Sequence, residues 1–150
     1  MEELIVRKQI DIHAAPADVW DALTNPEKTK KYFFNCEVHS DWKVGSPITF
    51  KGTMLLVKKI EMNGKILAIE PQKLLKYNLV NDDGTEHPST SIVTDQLSYK
   101  DGITTLLISD YVGDGEGAED RYERSKKGWD KVLAGLKELV EEANPNYSLQ

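Results

Sequence analysis

Few residues of the sequence have the types and spacing that catalysis or metal binding requires. The three histidines, His13, His39 and His87, are scattered, and Cys36 is the single cysteine. Zinc sites need several such ligands at short spacings, and a catalytic triad needs a nucleophile with a readable base. His13 stands beside an alanine-proline turn and His87 precedes a proline, so both are interpreted as surface or turn residues. We therefore expect no metal, no cofactor and no hydrolase chemistry.

A glycine-rich segment, residues 113–117, lies between a predicted strand and a predicted helix. It is superficially similar to a phosphate-binding loop but lacks that motif's final glycine. Asp110, Asp114 and Glu116 would also set negative charge against a phosphate. The calcium-loop pattern of acidic residues is absent as well. The segment is predicted to be a flexible lid.

Aromatic side chains give a stronger indication of a binding site. They are distributed over nearly all the predicted strands and helices, and tyrosine combines an apolar body with a polar tip suited to a half-wet pocket. Trp20 is interpreted as a core residue, whereas ordinary packing and cavity lining both remain open for the others. The candidate ligand-binding aromatic residues are Phe33, Phe50, Tyr77, Tyr111, Tyr122 and Trp129.

Length and composition limit the architecture and the partners. The chain has 150 residues, of which 39% are hydrophobic, and a formal net charge of −6. A chain of this length buries roughly 68–70% of its unfolded surface, enough for one core without disulfides. We expect one domain over residues 1–144 and a loose tail over residues 145–150. The acidic surplus argues against nucleic-acid binding, which needs basic side chains at the phosphates.

The start of the chain and its apolar runs bear on its location. Residues 1–3 lack the basic start of a signal peptide, and no apolar run approaches the roughly 20 residues needed to cross a bilayer. The single cysteine cannot form an internal disulfide. We therefore expect a cytoplasmic protein without a membrane span, either a monomer or a homodimer.

Hydrophobic periodicity predicts the elements that must position these side chains. Alternation over residues 4–12 indicates a first strand. Two short helices follow, one beginning at Pro16 and the other at Pro26 with Asn25 as its cap. Turn signals, among them Asn63-Gly64, then divide the chain into strand-like runs. These runs cover residues 37–42, 48–52, 55–60, 65–70, 73–80, 91–99 and 103–112.

The last element is a long amphipathic helix over residues 119–143, whose apolar positions recur at steps of three and four. It ends where Asn144 and Pro145 stop helical hydrogen bonding. The order predicts an α+β fold in which a curved antiparallel sheet of six or seven strands wraps around this helix, with two short helices after strand one. A bent sheet and a straight helix meet poorly in the middle, which predicts an interior cavity.

Residues 10–27 carry a specific resemblance. They read as a strand, an alanine-proline turn, a valine-tryptophan helix and a threonine-x-proline step, and are similar to the opening of the START-like (SRPBCC, birch-pollen-allergen-like) superfamily. Within it, the chain resembles the group named for the activator of the ninety-kilodalton heat-shock protein ATPase. Tyr32-Phe33 and Ser46 depart from the group's usual Trp-Phe and second glycine. The resemblance implies the helix-grip fold and an apolar ligand cavity. Further matches lie at residues 44–45, 64–71 and 128–139.

Strand parity extends the list of candidate residues. Tyr77 shares its face with residues 75 and 79, and Phe50 shares its face with residue 48. The family pattern implies that Asp95 faces inward, opposite residues 107, 109 and 111, if the Asp101-Gly102 turn has an odd length; a two-residue loop would reverse one assignment. In a dry cavity, desolvation would raise the pKa of Asp95 and make it a ligand anchor or acid, whereas the alternative is a solvent-facing aspartate. Asp95 and Ser109 complete the candidate ligand site.

Three functions are compatible with these observations. The first is binding of a small, mostly apolar molecule between the sheet and the last helix, as a carrier or a sensor. The second, implied by the resemblance, is an interaction module that regulates a heat-shock chaperone through its acidic surface. The third is a cyclase- or hydratase-like enzyme in which cavity aspartate or tyrosine groups act as acid or base.

Overall fold

Strands and helices follow one another in the order that the sequence predicts. The computed structural model describes residues 4–54, 58–81, 89–113 and 117–143. In these ranges the strands are β1 (Ile5–Ile12), β2 (Cys36–Ser40), β3 (Pro47–Met54), β4 (Lys58–Glu70), β5 (Leu74–Asn81), β6 (Ser89–Lys100) and β7 (Ile103–Tyr111). The helices are α1 (Pro16–Thr24), α2 (Pro26–Tyr32) and α3 (Ala118–Ala143).

The strands form one open antiparallel sheet of order β1-β7-β6-β5-β4-β3-β2. One face of this sheet is buried, and α3 supplies the apolar stripe that meets it, through Trp129, Val132, Leu133, Leu136 and Val140. The predicted α+β helix-grip fold is thus confirmed, with seven strands. None of the described helices is long and apolar enough to cross a membrane.

Local signals place the two short helices. Pro16 and Pro26 occupy first-turn positions, where their missing amide hydrogen has no helical partner to lose. The Asn25 side chain accepts a hydrogen bond from the backbone N–H of Glu27 at 3.0 Å, so the predicted cap is confirmed. Helix α2 packs against β2 and α3, and the residues around its end reach the middle of α3.

The predicted turn at Asn63-Gly64 is wrong, because β4 continues through it. A side chain at Gly64 would collide with the backbone oxygen of Asn78 on β5. The Asn78 side chain also accepts a hydrogen bond from the backbone N–H of Lys65 at 2.8 Å. The glycine therefore permits a close approach of two strands rather than a reversal of the chain. The first three residues of the predicted strand 55–60 lie outside the described residues.

The predicted parity of β7 is also wrong. Asp101 and Gly102 form a two-residue turn with φ values of +52° and +84°, and Lys100 pairs directly with Ile103. Positive φ at both positions is typical of the tight hairpin turn that matches the strand twist. The register brings residues 106, 108 and 110 to the buried face, and turns residues 107, 109 and 111 to the other. The even loop length is what reverses the assignment.

Candidate functional site

A small cavity lies between the buried face of the sheet and α3. Its volume is about 20 Å³, room for roughly one water molecule. Ligand pockets commonly measure roughly 300–1,000 Å³, so the side chains of the sheet and the helix fill most of the space between them. The walls include Tyr32, Phe33, Phe50, Tyr77, Asp95 and Trp129.

Five of the eight candidate residues therefore meet at one place. Phe50 and Tyr77 occupy inward positions of β3 and β5, as the alternation of their strands predicts. Asp95 occupies an inward position of β6, as the family pattern implies. Phe33 comes from the segment after α2, and Trp129 comes from the buried stripe of α3. Residues far apart in the sequence are thus brought together by the strand register and by the packing of α3.

The aromatic members form a connected cluster. The ring of Phe33 stacks on Phe50 with centroids 4.9 Å apart, and meets Trp129 edge-on at 5.9 Å. Phe50 in turn lies 5.7 Å from Tyr77. These are the separations at which aromatic pairs attract each other. The cavity is consequently bordered by ring faces and edges, with Phe33 between the sheet and the helix.

Asp95 supplies an ionisable carboxyl group to the wall of the cavity. The residue is only 3% exposed, and its Oδ1 has no hydrogen-bond partner among the described residues. Burial, and secondly the nearby Asp110, raise the pKa of Asp95 from 3.8 to about 7. The prediction that an inward Asp95 has a raised pKa is confirmed, and the alternative of a solvent-facing aspartate is wrong. The carboxyl group changes charge near neutral pH, as an acid, a base or a ligand anchor would.

Asp110 is a second buried carboxyl group, and it is not among the residues predicted for the site. It is 6% exposed, and its Oδ2 accepts hydrogen bonds from Ser125 Oγ at 2.5 Å and Trp129 Nε1 at 2.9 Å. These bonds fix the indole of Trp129 against the sheet. The two-residue Asp101-Gly102 hairpin was the signal that could have revealed it, since that loop length puts residue 110 on the face of Asp95.

The two tyrosines of the cavity are held in the neutral form. Burial and the charge of Asp95 raise the pKa of both Tyr32 and Tyr77, and Asp110 adds to the effect at Tyr77. The hydroxyl group of Tyr32 donates a hydrogen bond to the backbone oxygen of Ala22 at 2.7 Å. This bond connects the end of α2 to α1 and so fixes the position of Tyr32 in the cavity wall.

Three candidate residues lie elsewhere. Ser109 and Tyr111 are half-buried on the opposite face of β7, for the reason of parity given above. Tyr122 lies in the first half of α3, packed against the edge of the core. The structure does not bring these three side chains to the cavity.

The two histidines that the structure describes each lie beside a glutamate. The backbone N–H of His13 donates a hydrogen bond to Glu141 Oε2 at 2.9 Å, and its ring Nδ1 lies 3.0 Å from the same oxygen. His39 pairs with Glu37 on the surface, whereas His87 lies outside the described residues. In the described ranges, no three His, Cys, Asp or Glu side chains come together as a metal site would require. Most of the predicted lid at 113–117 also lies outside these ranges.

The segment after α2 covers one side of the cavity. Phe34 and Asn35 both have positive φ, +50° and +60°, a conformation that is costly for a residue such as phenylalanine. The segment and the end of α2 lie against two glycines of α3, with Phe34 close to Gly128 and Tyr32 close to Gly135. Phe34 itself is 38% exposed. Phe33 therefore belongs to a strained, partly exposed segment that packs against the glycine-containing part of α3.

Comparison with known proteins identifies a family to which the chain is similar. The model of the family described as Activator of Hsp90 ATPase homolog 1-like protein matches residues 13–141. No curated protein matches the chain. A solved protein of Cytophaga hutchinsonii is 30% identical with a TM-score of 0.74, covering 95% of this chain and 98% of that one.

Two further solved structures are similar in fold. A protein of Mesorhizobium loti is 22% identical with a TM-score of 0.78, covering 93% of this chain and 98% of its own. CalU16 of Micromonospora echinospora is 24% identical with a TM-score of 0.68, covering 91% of this chain and 72% of its own. At these identities the likeness concerns the fold alone.

Proposed function

Because the chain belongs to the family of Activator of Hsp90 ATPase homolog 1-like proteins, whose fold is consistent with a ligand cavity, we propose that it binds a small, mostly apolar molecule between the sheet and α3. The observation that carries the proposal is Asp95, a buried carboxyl group with an unpartnered oxygen at an aromatic-lined cavity. Leaving a buried polar atom unpaired costs about 1–3 kcal/mol, and more when it is charged. An unpaired buried carboxyl oxygen lowers the stability of the core, whereas in a ligand-binding site it can accept a hydrogen bond from the ligand.

Binding requires the cavity to widen, because about 20 Å³ admits no organic molecule. The Phe33 ring is the side chain best placed to move, since it is carried on the strained segment at Phe34 and Asn35. Its outward displacement would join the cavity to the surface between α2 and α3. The ordering of this segment around a guest would moderate the affinity, as a carrier or a sensor that must release its ligand requires.

The test is a titration followed by NMR of the protein, with lipids, simple aromatics and polyketide-like compounds as separate classes. We expect saturable shifts at Phe50, Tyr77 and Trp129 with at least one class. Absence of saturable shifts with all three classes would contradict the proposal.

A matched pair of variants locates the binding. Ile108→Phe adds a ring beside Asp95, the residue with which it pairs, and we expect it to weaken binding at least about fivefold. Leu107→Phe makes a comparable change on the exposed face of the same strand and should leave binding unchanged. Overpacking destabilises by about 1–3 kcal/mol, so Val132→Leu, which adds one methylene to the cavity wall, provides a milder second variant. Equal effects of the ring substitutions would contradict the location.

The family description supports a second candidate function, regulation of a chaperone ATPase. With a net charge of −6, the chain would meet a basic surface of the chaperone, and such contacts weaken with salt. Purified chaperone and purified protein at low salt provide the test, with ATP turnover as the measurement. An unchanged turnover at saturating protein would exclude this candidate.

A further inference from the structure

The two buried carboxyl groups are neighbours on one face of the sheet. Asp95 pairs with Ile108 and Asp110 pairs with Val93, so the two acids are diagonal partners on adjacent strands, with a Cα separation of about 7–8 Å. Each has one oxygen without a hydrogen-bond partner among the described residues. The causes that shift the pKa of Asp95 include no cationic side chain. When Asp95 is ionised, it therefore has no cationic partner in the described part of the protein.

The aromatic residues around Asp95 suit a cation as well. Phe33, Phe50, Tyr77 and Trp129 line the same cavity, and their ring faces carry partial negative charge. A cation within about 6 Å of such a face is attracted to it, and more strongly where water is excluded. Ring faces and an unpaired carboxylate together form the usual surroundings of a bound organic ammonium group.

We infer that the ligand of this cavity is a small hydrophobic amine, bound as its ammonium cation with the nitrogen at Asp95 and the apolar body among the four aromatic rings. The inference rests on the proposed function and specifies its ligand class. A carboxylate-bearing ligand would be repelled by Asp110 and by the ionised form of Asp95, and a neutral ligand would leave an ionised Asp95 without an opposite charge. An ammonium group offers hydrogen-bond donors and the opposite charge in one compact group.

The dependence of binding on pH follows from the groups that face Asp95. These are Asp110 from β7, Tyr77 from β5 and Tyr32 from the end of α2, and both tyrosines stay neutral below pH 10. Asp95 in the free protein is ionised to about one tenth at pH 6 and about nine tenths at pH 8, because its pKa is about 7. An alkylamine remains charged over this range. Affinity for the amine should thus rise about tenfold from pH 6 to pH 8.

Calorimetric or NMR titration with three matched probes tests the inference: 2-phenylethylamine, 2-phenylethanol and 3-phenylpropanoate. They are similar in size and carry a positive, a neutral and a negative group. At pH 8 we expect the amine to bind at least about tenfold more tightly than the alcohol, and the carboxylate to bind most weakly. Asp95→Asn should remove the advantage of the amine and leave the alcohol within about twofold of its original affinity.

Glu123→Gln is the matched control, because it removes one negative charge from an exposed position of α3. It should leave all three affinities unchanged. If Asp95→Asn fails to fold, the pH dependence of amine binding to the unmodified protein still tests the inference: a tenfold rise from pH 6 to pH 8 supports it, and an affinity that does not change overturns it.

The outcomes separate the inference from the function on which it rests. Equal binding of amine and alcohol would overturn the inference while supporting a ligand site. An amine preference that survives Asp95→Asn, or that Glu123→Gln removes equally, would also overturn it, since attraction to the acidic surface explains both results. Saturable binding of none of the probes, together with failure of the lipid and polyketide-like classes, would overturn the proposed function itself.

Discussion

Replacement of Asp95 by asparagine should make the protein more stable at neutral pH. The folded protein holds the Asp95 proton up to about pH 7, whereas the unfolded chain releases it near the ordinary pKa of 3.8. The contribution of this carboxyl group is therefore present in full below about pH 4 and is lost as the pH rises through about 7. The difference between the two pKa values, at about 1.4 kcal/mol per pKa unit, corresponds to about 4 kcal/mol. Asparagine has the same shape and no proton to lose.

Urea unfolding from pH 4 to pH 8 measures this effect directly. We expect the free energy of unfolding of Asp95→Asn, relative to the original protein, to rise by up to about 4 kcal/mol across the range. The difference at pH 4 gives the effect of the amide itself, and the other titrating groups cancel in the comparison. Glu123→Gln, at an exposed site, should show no such trend. A difference between Asp95→Asn and the original protein that is independent of pH would show that Asp95 does not have a raised pKa in the folded protein.

Three further substitutions test the packing around the site, each by urea unfolding. Gly128→Ala and Gly135→Ala make the same change on α3. The new Cβ at position 128 meets nothing closer than Phe34 at 3.5 Å, so Gly128→Ala should stabilise the folded protein by up to about 1 kcal/mol. The new Cβ at position 135 lies within 2.9 Å of Tyr32 Cβ, so Gly135→Ala should destabilise the folded protein by about 1–3 kcal/mol. Equal effects of the two alanines would contradict the seating of the segment after α2 on this helix. Gly64→Ala should destabilise the protein by more than Gly135→Ala, because its Cβ would collide with a backbone oxygen on β5 that cannot rotate away. A decrease of less than about 1 kcal/mol in the free energy of unfolding would show that the two strands have room to separate there.

Much of the fold could be predicted from the sequence because its signals are local. Proline at the start of α1 and α2, the Asn25 cap, and the three- and four-residue spacing on α3 each act within a few residues. The inward faces of β3 and β5 followed from alternation in the same way. Signals of this kind depend little on how distant parts of the chain meet.

The errors arose where one residue serves a contact that is distant in the sequence. Gly64 follows an asparagine, as a turn glycine often does, yet it is required by the approach of Asn78 from the next strand. The parity of β7 depended on the length of the Asp101-Gly102 loop, and one residue more or less turns every side chain to the other face. The predicted parity therefore points to Ser109, whereas Asp110 is the residue on the buried face. The size of the cavity was equally beyond prediction, because it depends on how fully the Phe33 and Trp129 rings fill it.

A crystal structure of the protein grown with the tightest binder of the NMR titrations tests the central claim most directly. We expect density for the binder between the sheet and α3, a polar atom at about 2.7–3.2 Å from Asp95 Oδ1, and the Phe33 ring displaced from its stack on Phe50. Density confined to the outer surface, with the Phe33 ring in place and nothing larger than a water molecule beside Asp95, would contradict it.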